Sequence, residues 1–461
     1  MKYKNGLFIF RRDYRITDNT TLHIANKECE NVYTVFIFTP EQVSVQNKYK
    51  SNNAVQFMIE SIEYLANNIK QSGGHLYTFY GSNVQVISEC IHKFQINSVY
   101  FNKDYTPYSI TRDNNILQLC KSKHVDCVST NDYYLHSPEE IFTKSNKPYQ
   151  KFTPYYVASL QKKVRTPLQS SSISFSTNGS SNLKFQITLE EAFYKFTVRN
   201  NNILVHGGRE NAIRVLKLAS ATQKHYSDTR NDLSTNTTQL SAYIKFGCIS
   251  IREVYSAFKN NKPLLQQLIW RDFYASILFH YPKVLGHSLK PKYDNIKWSK
   301  NPSYLNSWKK GTTGFPIVDA CMRQLNTTGY MHNRGRLIVA SFLVKTLLIS
   351  WREGEQVFAK QLVDYDVASN NGNWQWIAGS GADSQPFFRI FNPWSQSKDH
   401  DKDAVYIKKW VPELNDVLPK DIHKWHESCK LEKYDHIQYG DPIVNYEIQK
   451  QKCLQMYHTI F

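Results

Sequence analysis

The sequence has no cysteine pair with CxxC spacing, although its 461 residues include eight cysteines. Their scattered positions exclude the usual zinc and thiol-redox motifs and suit a reducing compartment. No apolar run reaches the roughly eighteen residues that a membrane helix needs. The longest, Leu337 to Ile349, contains Lys345 and predicts a buried helix. The apolar start of the chain runs into Arg11 and Arg12 and is too short for a secretory signal. We therefore expect an intracellular protein, cytoplasmic or nuclear, that is not inserted in a membrane.

Motifs for common hydrolytic and nucleotide chemistry are also missing. The sequence contains no GxSxG, P-loop or HExxH, and no GxGxxG follows the first predicted strand. Acidic residues number 39 against 57 basic ones, which gives a formal net charge of +18. Such a balance favours a polyanionic partner. A lysine-rich composition without a binding role is the alternative explanation.

Short β-rich runs alternate with helical stretches in the first third of the chain. The predicted strands are Gly6–Phe10, Val32–Thr39, His75–Tyr80 and Ser98–Phe101, and the predicted helices between them are Asn53–Lys70, Asn83–Lys93 and Thr111–Ser122. This alternation predicts a Rossmann-like parallel sheet with helices on both faces. We place the α/β domain at residues 1–131.

The regular pattern decays between residues 132 and 202, which we predict to be an interdomain linker. Its most polar part, Gln169–Asn182, reads QSSSISFSTNGSSN and has too few apolar side chains to bury itself. Helical periodicity dominates from His206 onward, with Leu268 and Phe273 on one apolar face. We therefore predict an all-α second domain over residues 203–461.

A cluster of small polar residues precedes an apolar run in this helical half. It consists of Thr237, Thr238, Gln239 and Ser241. A phosphate group can bind at a helix N-terminus, where backbone N–H groups are unpaired. Simple capping of the helix is the alternative role.

Residues 364–393, DYDVASNNGNWQWIAGSGADSQPFFRIFNP, have the most unusual composition, with little regular helical or strand period. Asn370 carries an amide that both donates and accepts hydrogen bonds. Gly372 would let the backbone press close to a flat ligand. On a helix, Trp374 and Trp376 would point to different faces. A tryptophan-rich core segment that ends in a surface loop is the alternative.

This stretch resembles the flavin-binding signature of the photolyase/cryptochrome family. The resemblance is dense from Leu233 to Leu414 and weaker in the first third, where FRRDYRITDN (Phe10–Asn19) is similar to the start of the family's antenna domain. It is closest to the bacterial-type, class I photolyases that repair cyclobutane pyrimidine dimers. It implies FAD as the cofactor, damaged double-stranded DNA as the partner, and a monomer. It also implies a possible antenna chromophore, a folate, a deazaflavin or another flavin, for which the sequence assigns no residues.

The resemblance implies which residues hold FAD. Tyr226, the following Arg-Asn-Asp and the polar cluster look like the family's diphosphate clamp, although Ala242 stands where many relatives have proline. Arg336 and Asp364 match an ion pair beside the flavin ring, for which a surface salt bridge is the alternative. Asn370 matches the amide that faces ring atom N5. The implied cofactor-binding set is Tyr226, Thr237, Thr238, Gln239, Leu240, Ser241, Arg336, Asp364, Asp366 and Asn370.

The implied reaction is an electron transfer from light-excited, reduced FAD that splits the dimer and recovers the electron. Trp374, Trp351 and Trp298 match the tryptophans that carry electrons to the flavin in relatives, and core packing is their alternative role. With Asn370 they form the implied catalytic set. The implied lesion and DNA contacts are Gln267, Trp270, Asn333, Arg334, Leu337, Trp376 and Arg389.

Two other functions within the family stay open. A (6-4) photolyase depends on two cavity histidines, whereas Asn333 and Leu337 occupy the matching positions here. Gln267 favours that alternative, because dimer photolyases usually carry glutamate there. The second alternative is a cryptochrome-type light receptor without repair activity. Retention of Trp270 and Arg389, together with the lack of a long C-terminal extension, favours repair.

Overall fold

A parallel five-stranded sheet organises the first part of the chain in the computed structural model, which describes residues 1–169, 172–176 and 183–461. Its strands are β1 (Tyr3–Phe10), β2 (Cys29–Phe38), β3 (Leu76–Tyr80), β4 (Ser98–Asn102) and β5 (Asp126–Thr130). Their spatial order is β3-β2-β1-β4-β5, and every neighbouring pair is parallel. This confirms the predicted Rossmann-like sheet. Only β5 has no counterpart among the predicted strands, because this edge strand is half-exposed and has little apolar pattern.

Alternate residues of β1 contribute to two different cores, as the pleat of a strand requires. Leu7 lies in the core that the sheet shares with the helices Asn83–Lys93 and Pro107–Ser122. Phe8 lies in the core on the other face, which also contains Tyr243 from the helical half of the chain. The sheet and the helical half therefore share one continuous core.

Helices cover the sheet and make up most of the remaining described residues. Up to residue 258, the α-helices are Thr20–Glu28, Pro40–Val43, Asn52–Gln71, Asn83–Lys93, Pro107–Ser122, Phe152–Leu160, Leu189–Phe196, Arg209–Thr222, Tyr226–Thr229, Ser241–Lys245 and Ile251–Phe258. Beyond it they are Lys262–His280, Pro302–Lys310, Pro316–Thr328, Asn333–Ser341, Trp351–Gln361, Val367–Ala378, Pro393–His400, Val405–Trp410, Pro419–Ile422, Trp425–Ser428 and Tyr446–His458. Short 3₁₀ helices occur at Gln223–His225, Pro282–Val284, Pro291–Asn295, Pro412–Leu414 and Glu432–Tyr434.

The long apolar run near the middle of the helical half is not one continuous helix. The α-helix ends at Ser341, and a buried π-helical turn, Phe342–Thr346, follows it. Ile349 then pairs with Ser299 in an isolated parallel bridge. The prediction of a buried segment is right, and the prediction of a single helix is wrong. Among the described residues, no helix combines the length and the apolar content that crossing a bilayer requires.

The stretch with little apparent period contains a regular helix, Val367–Ala378, which ends at Gly379 in the left-handed conformation. Its period is hidden because several of its buried positions are amides. Asn371 donates to a Glu355 carboxylate oxygen at 2.9 Å, and Gln375 donates to the Val284 carbonyl at 3.1 Å. Buried amides that are satisfied in this way do not stand out as an apolar stripe.

Gly372 serves helix packing rather than ligand approach. A Cβ atom at this position would lie 2.1 Å from the ring of Tyr274, on the helix Lys262–His280. That distance is a severe clash, so the missing side chain is what allows these two helices to contact each other. The expectation that Gly372 brings the backbone against a flat ligand is therefore wrong.

The proposed domain boundaries remain predictions. The predicted linker contains two helices, Phe152–Leu160 and Leu189–Phe196. Within its most polar part, residues 170–171 and 177–182 lie outside the described residues.

Candidate functional site

A cleft opens in the helical half between the helices Asn333–Ser341, Trp351–Gln361 and Val367–Ala378. Ala340, Phe358 and related apolar side chains form part of its wall. Seven of the predicted site residues line it together: Asn333, Arg336, Leu337, Asp364, Asp366, Asn370 and Trp374. The fold thus brings together cofactor, electron-transfer and substrate candidates that are up to 41 positions apart in sequence.

The Arg336–Asp364 ion pair is present at the edge of this cleft. An Arg336 Nη2 donates to Asp364 Oδ2 at 2.8 Å, and Ser241 Oγ donates to the same oxygen at 2.6 Å. The second carboxylate oxygen of Asp364 is buried and has no hydrogen-bond partner among the residues that the structure describes. Burial alone would lower the pKa of Arg336, but the Asp364 carboxylate outweighs it and raises this pKa. The predicted ion pair is confirmed, and it is more buried than a surface salt bridge, with Asp364 4% exposed.

The polar cluster lies against this ion pair. Thr237 Oγ1 is 3.2 Å from the Tyr330 hydroxyl, and the Arg336 guanidinium lies 5.5 Å from the Tyr330 ring centre. Gln239 adopts a left-handed backbone conformation with φ 53°. The helix Ser241–Lys245 that follows has only five residues and a weak dipole. The predicted phosphate site at this helix N-terminus stays a prediction.

Tyr226 and Leu240 both contribute to the apolar core that the sheet and the helical half share. Tyr226 is partly buried against the core that contains Phe8, and burial raises the pKa of its hydroxyl group. Leu240 is buried in the same core, while its backbone N–H is 3.5 Å from Thr238 Oγ1.

Asn370 and Asp366 are fixed by partners outside the cleft. Asn370 donates from its side-chain amide to the Glu355 carbonyl at 3.0 Å. Asp366 caps the helix Val367–Ala378 by accepting from the Ser369 N–H at 3.0 Å, and Arg12 donates to it at 2.8 Å. Burial would raise the pKa of Asp366, but Arg12 holds it at about 2. Sequence analysis did not identify Arg12 as a site residue, although its charged cluster directly follows a buried strand.

The three candidate electron-transfer tryptophans lie in one apolar cluster. Trp374 and Trp351 are buried, whereas Trp298 is only partly buried. A Cβ on Gly354 would lie 2.1 Å from the Trp374 ring, so the helix that begins at Trp351 presses directly on Trp374. The Ser299 N–H donates to the Leu348 carbonyl at 2.8 Å, which places Trp298 beside the segment that leads into this helix. Of the three, Trp374 lines the cleft, and their burial also fits core packing.

Of the candidate lesion and DNA contacts, Asn333 and Leu337 line the cleft. Asn333 is exposed at the start of its helix, Arg389 is exposed on a loop, and an Arg334 Nη2 donates to Asn231 Oδ1 at 2.7 Å. Trp376 is partly exposed while Trp374 points inward, as their spacing predicts.

Gln267 and Trp270 lie on the helix Lys262–His280, which packs against Val367–Ala378. The Gln267 amide donates to the Pro263 carbonyl at 3.4 Å. The Trp270 ring stacks on Phe152, with ring centres 3.7 Å apart and planes 6° from parallel. Phe152 therefore covers one face of Trp270, and only the opposite face is left for a base.

A second cleft lies where the sheet meets the helical half. β1 has β2 on one side and β4 on the other, so the carboxyl ends of β1 and β4 form a switch point where ligands commonly bind. Arg12 joins the two halves there, donating to Asp104 at 3.2 Å and to Asp366 at 2.8 Å. Lys245 also lines this cleft, and burial lowers its pKa to about 7.

Both parts of the chain match families of known proteins. Residues 7–172 match the DNA photolyase family model, and residues 264–459 match the FAD binding domain of DNA photolyase. The chain is 34% identical to the deoxyribodipyrimidine photo-lyase of Alkalihalophilus pseudofirmus, covering 97% of this chain and 96% of that protein.

Two solved structures share the whole architecture. One is the archaeal photolyase of Sulfolobus tokodaii, described with two FAD molecules and an implied novel light-harvesting cofactor. The two chains match with a TM-score of 0.88 and 38% sequence identity. The match covers 99% of this chain and 100% of the Sulfolobus chain. The other is a Synechocystis cryptochrome, with a TM-score of 0.88 and 26% sequence identity. The match covers 99% of this chain and 100% of the cryptochrome chain.

Proposed function

This chain belongs to the photolyase/cryptochrome family, a premise from which we propose that it is a photo-lyase that splits cyclobutane pyrimidine dimers in DNA. The observation that carries the proposal is the cleft in which the Arg336–Asp364 pair, Asn370 and Trp374 meet. Light supplies the energy, and damaged double-stranded DNA is the substrate.

The residues of the cleft fit FAD. Asp364 has a buried carboxylate oxygen to which no described residue donates, and this oxygen suits an N–H donor on the flavin ring. Arg336 supplies a positive charge beside a site that must accept negative charge. Thr237 and Thr238 supply hydroxyl donors near it for a diphosphate. We propose that these residues hold the cofactor together with Tyr226, Gln239, Leu240, Ser241, Asp366 and Asn370.

Reduced FAD, when bound, supplies one electron to the lesion under illumination and regains it once the lesion is split. The protein positions this chemistry. The Glu355 carbonyl fixes the orientation of the Asn370 amide. Trp374 lines the cleft, Trp351 is buried and Trp298 is partly exposed, so we propose that these three indoles carry electrons inward.

Binding requires the lesion to leave the duplex, which costs a few kcal/mol and less for a lesion that stacks poorly. We propose that Arg334, which follows the cleft residue Asn333, and the exposed Arg389 offset this cost by contacting phosphates. The free face of Trp270 and the partly exposed Trp376 offer stacking surfaces for extruded bases. Binding of this kind depends on salt and only weakly on sequence.

The choice of lesion rests on two cleft residues. Opening a (6-4) adduct needs a proton transferred to the lesion, which neither the Asn333 amide nor the Leu337 alkyl chain can provide. Splitting a cyclobutane dimer needs only the electron. Gln267 favours the (6-4) lesion by resemblance, but its amide can also donate to a thymine carbonyl. We therefore propose the cyclobutane dimer.

The test of lesion choice presents both lesions at equal concentration to the illuminated, chemically reduced protein. We expect the cyclobutane dimer alone to be repaired. Gln267→Glu should keep this activity, whereas Trp270→Ala should weaken lesion binding by about 1–3 kcal/mol per stacked base. Comparable turnover of the (6-4) lesion would contradict the choice. Repair of neither lesion, with normal flavin photochemistry, would instead favour the light-receptor alternative.

We propose that a second chromophore binds in the cleft at the sheet switch point, near Arg12 and Lys245. The supporting observations are the position of this cleft and the two FAD molecules described for the Sulfolobus tokodaii structure. The test is acid release and chromatography of the bound chromophores, after incubation with FAD, a folate or a deazaflavin. We expect one flavin from the helical cleft and one further chromophore per chain. A single chromophore under all three conditions would contradict this proposal.

A further inference from the structure

One ammonium group is buried in the helical core, away from the cofactor cleft. Lys345 lies on the π-helical turn Phe342–Thr346 and is 1% exposed. The helix Tyr446–His458 packs against this turn. Burial lowers the pKa of Lys345 to about 8, and the other groups acting on it are the Cys453 thiol and the Arg389 guanidinium. In the described part of the chain no carboxylate pairs with this charge.

The hydrogen-bond acceptor of Lys345 is a backbone carbonyl on another segment. Its Nζ donates to the Arg389 carbonyl at 2.8 Å. Nearby, the Phe391 N–H lies 3.4 Å from Ser341 Oγ, and Phe387 stacks on Tyr457 with planes 9° from parallel. The backbone of the loop is thus held from inside the core, while the Arg389 side chain is exposed on the outside.

A buried charge of this kind is costly. Methionine of similar length would fill the same space without desolvating an ammonium, and such replacements are often neutral or stabilising. Packing alone therefore does not account for lysine at this position. The ammonium gives what an apolar side chain cannot, a strong charge-assisted hydrogen bond to a single loop carbonyl.

We propose that Lys345 is a positioning residue for DNA binding. It fixes the backbone at Arg389, so that the guanidinium of Arg389 is directed toward a DNA phosphate without first having to be ordered. This inference rests on the proposed function, because it takes Arg389 as a DNA contact. Lys345 itself touches neither DNA nor cofactor.

The test compares Lys345→Met with Thr346→Val in the flavin-loaded, full-length protein. Thr346 is the adjacent residue, and its buried hydroxyl group has no hydrogen-bond partner in the described part of the chain, so its removal is a matched control. We expect Lys345→Met to bind a dimer-containing duplex about tenfold more weakly, as expected for loss of a charged hydrogen bond. Its melting temperature and flavin content should be unchanged or higher. Thr346→Val should bind DNA like the wild type.

Two further variants make the result decisive. Lys345→Gln, which keeps a donor without the charge, should restore part of the binding. Arg389→Ala combined with Lys345→Met should bind no more weakly than Arg389→Ala alone, because both changes remove the same contact. Wild-type affinity in Lys345→Met, additive losses in the double variant, or parallel loss of flavin and stability would each overturn the inference. If wild-type protein itself fails to prefer the damaged duplex, the proposed function is what fails.

Discussion

Replacing Asp364 with alanine is expected to deprive the protein of FAD. The change leaves Arg336 without its carboxylate partner in a largely buried position, and Ser241 loses the acceptor of its hydroxyl group. It also removes the buried oxygen that has no hydrogen-bond partner within residues 1–169, 172–176 and 183–461. Breaking a buried pair typically costs about 3–5 kcal/mol. When most of this free-energy cost appears as weaker cofactor binding, the affinity for FAD drops by about 10²- to 10³-fold.

The measurement is the flavin content of purified protein, followed by titration with FAD. Glu413→Ala is the matched control, because Glu413 forms an equally short ion pair with Arg323 at 2.8 Å in the same half of the chain. That variant should lose some stability and keep its flavin. Stoichiometric, tightly bound FAD in Asp364→Ala would show that the ion pair has no part in holding the cofactor.

Replacing Trp374 with phenylalanine should block light-driven reduction of the oxidised flavin. Trp374 lines the cleft and contacts the helix that begins at Trp351, so it is the first residue of the proposed relay. Phenylalanine preserves most of the packing area but has no readily oxidised indole. We expect photoreduction to slow by more than about tenfold, which corresponds to a barrier at least ~1.4 kcal/mol higher.

Trp308→Phe is the control for this experiment. Trp308 is as buried as Trp374 and its ring centre lies 6.2 Å away, but it is not a member of the proposed relay. It should photoreduce at the wild-type rate, although loss of its hydrogen bond to the Val339 carbonyl should lower its stability. Repair by Trp374→Phe should persist once its flavin is reduced chemically. If photoreduction is normal, or if repair by the reduced protein falls in parallel, the relay assignment is wrong.

The sequence was most informative where apolar residues form short runs or helical stretches. Four strands were predicted from short β-rich runs, and the helix Asn83–Lys93 from the helical stretch between two of them. The helix Val367–Ala378 does not, because Asn371 and Gln375 are buried through hydrogen bonds to distant groups that no local pattern records. The strand β5 was not predicted, because an exposed edge strand needs few apolar side chains.

The candidate site also contains some features that the sequence predicted and others that it could not predict. The Arg336–Asp364 pair was predicted from the family resemblance, and the structure contains it. The role of Gly372 could not be predicted, since it depends on a ring from another helix. The ion pair between Asp366 and Arg12 was not predicted for a similar reason, because nothing near either residue in the sequence indicates the other as its partner.

The Arg12–Asp366 pair has a consequence for the order in which the protein folds. The two residues are 354 positions apart in a chain of 461, so their contact closes about three quarters of the chain into a loop. Loop closure on that scale has a high entropic cost and is compensated only when many contacts form together. During synthesis the sheet emerges first, and Arg12 then lacks this partner until the segment carrying Asp366 leaves the ribosome. The N-terminus of the helix carrying Asn370 and Trp374 is therefore completed late, by a residue that was among the first to be made.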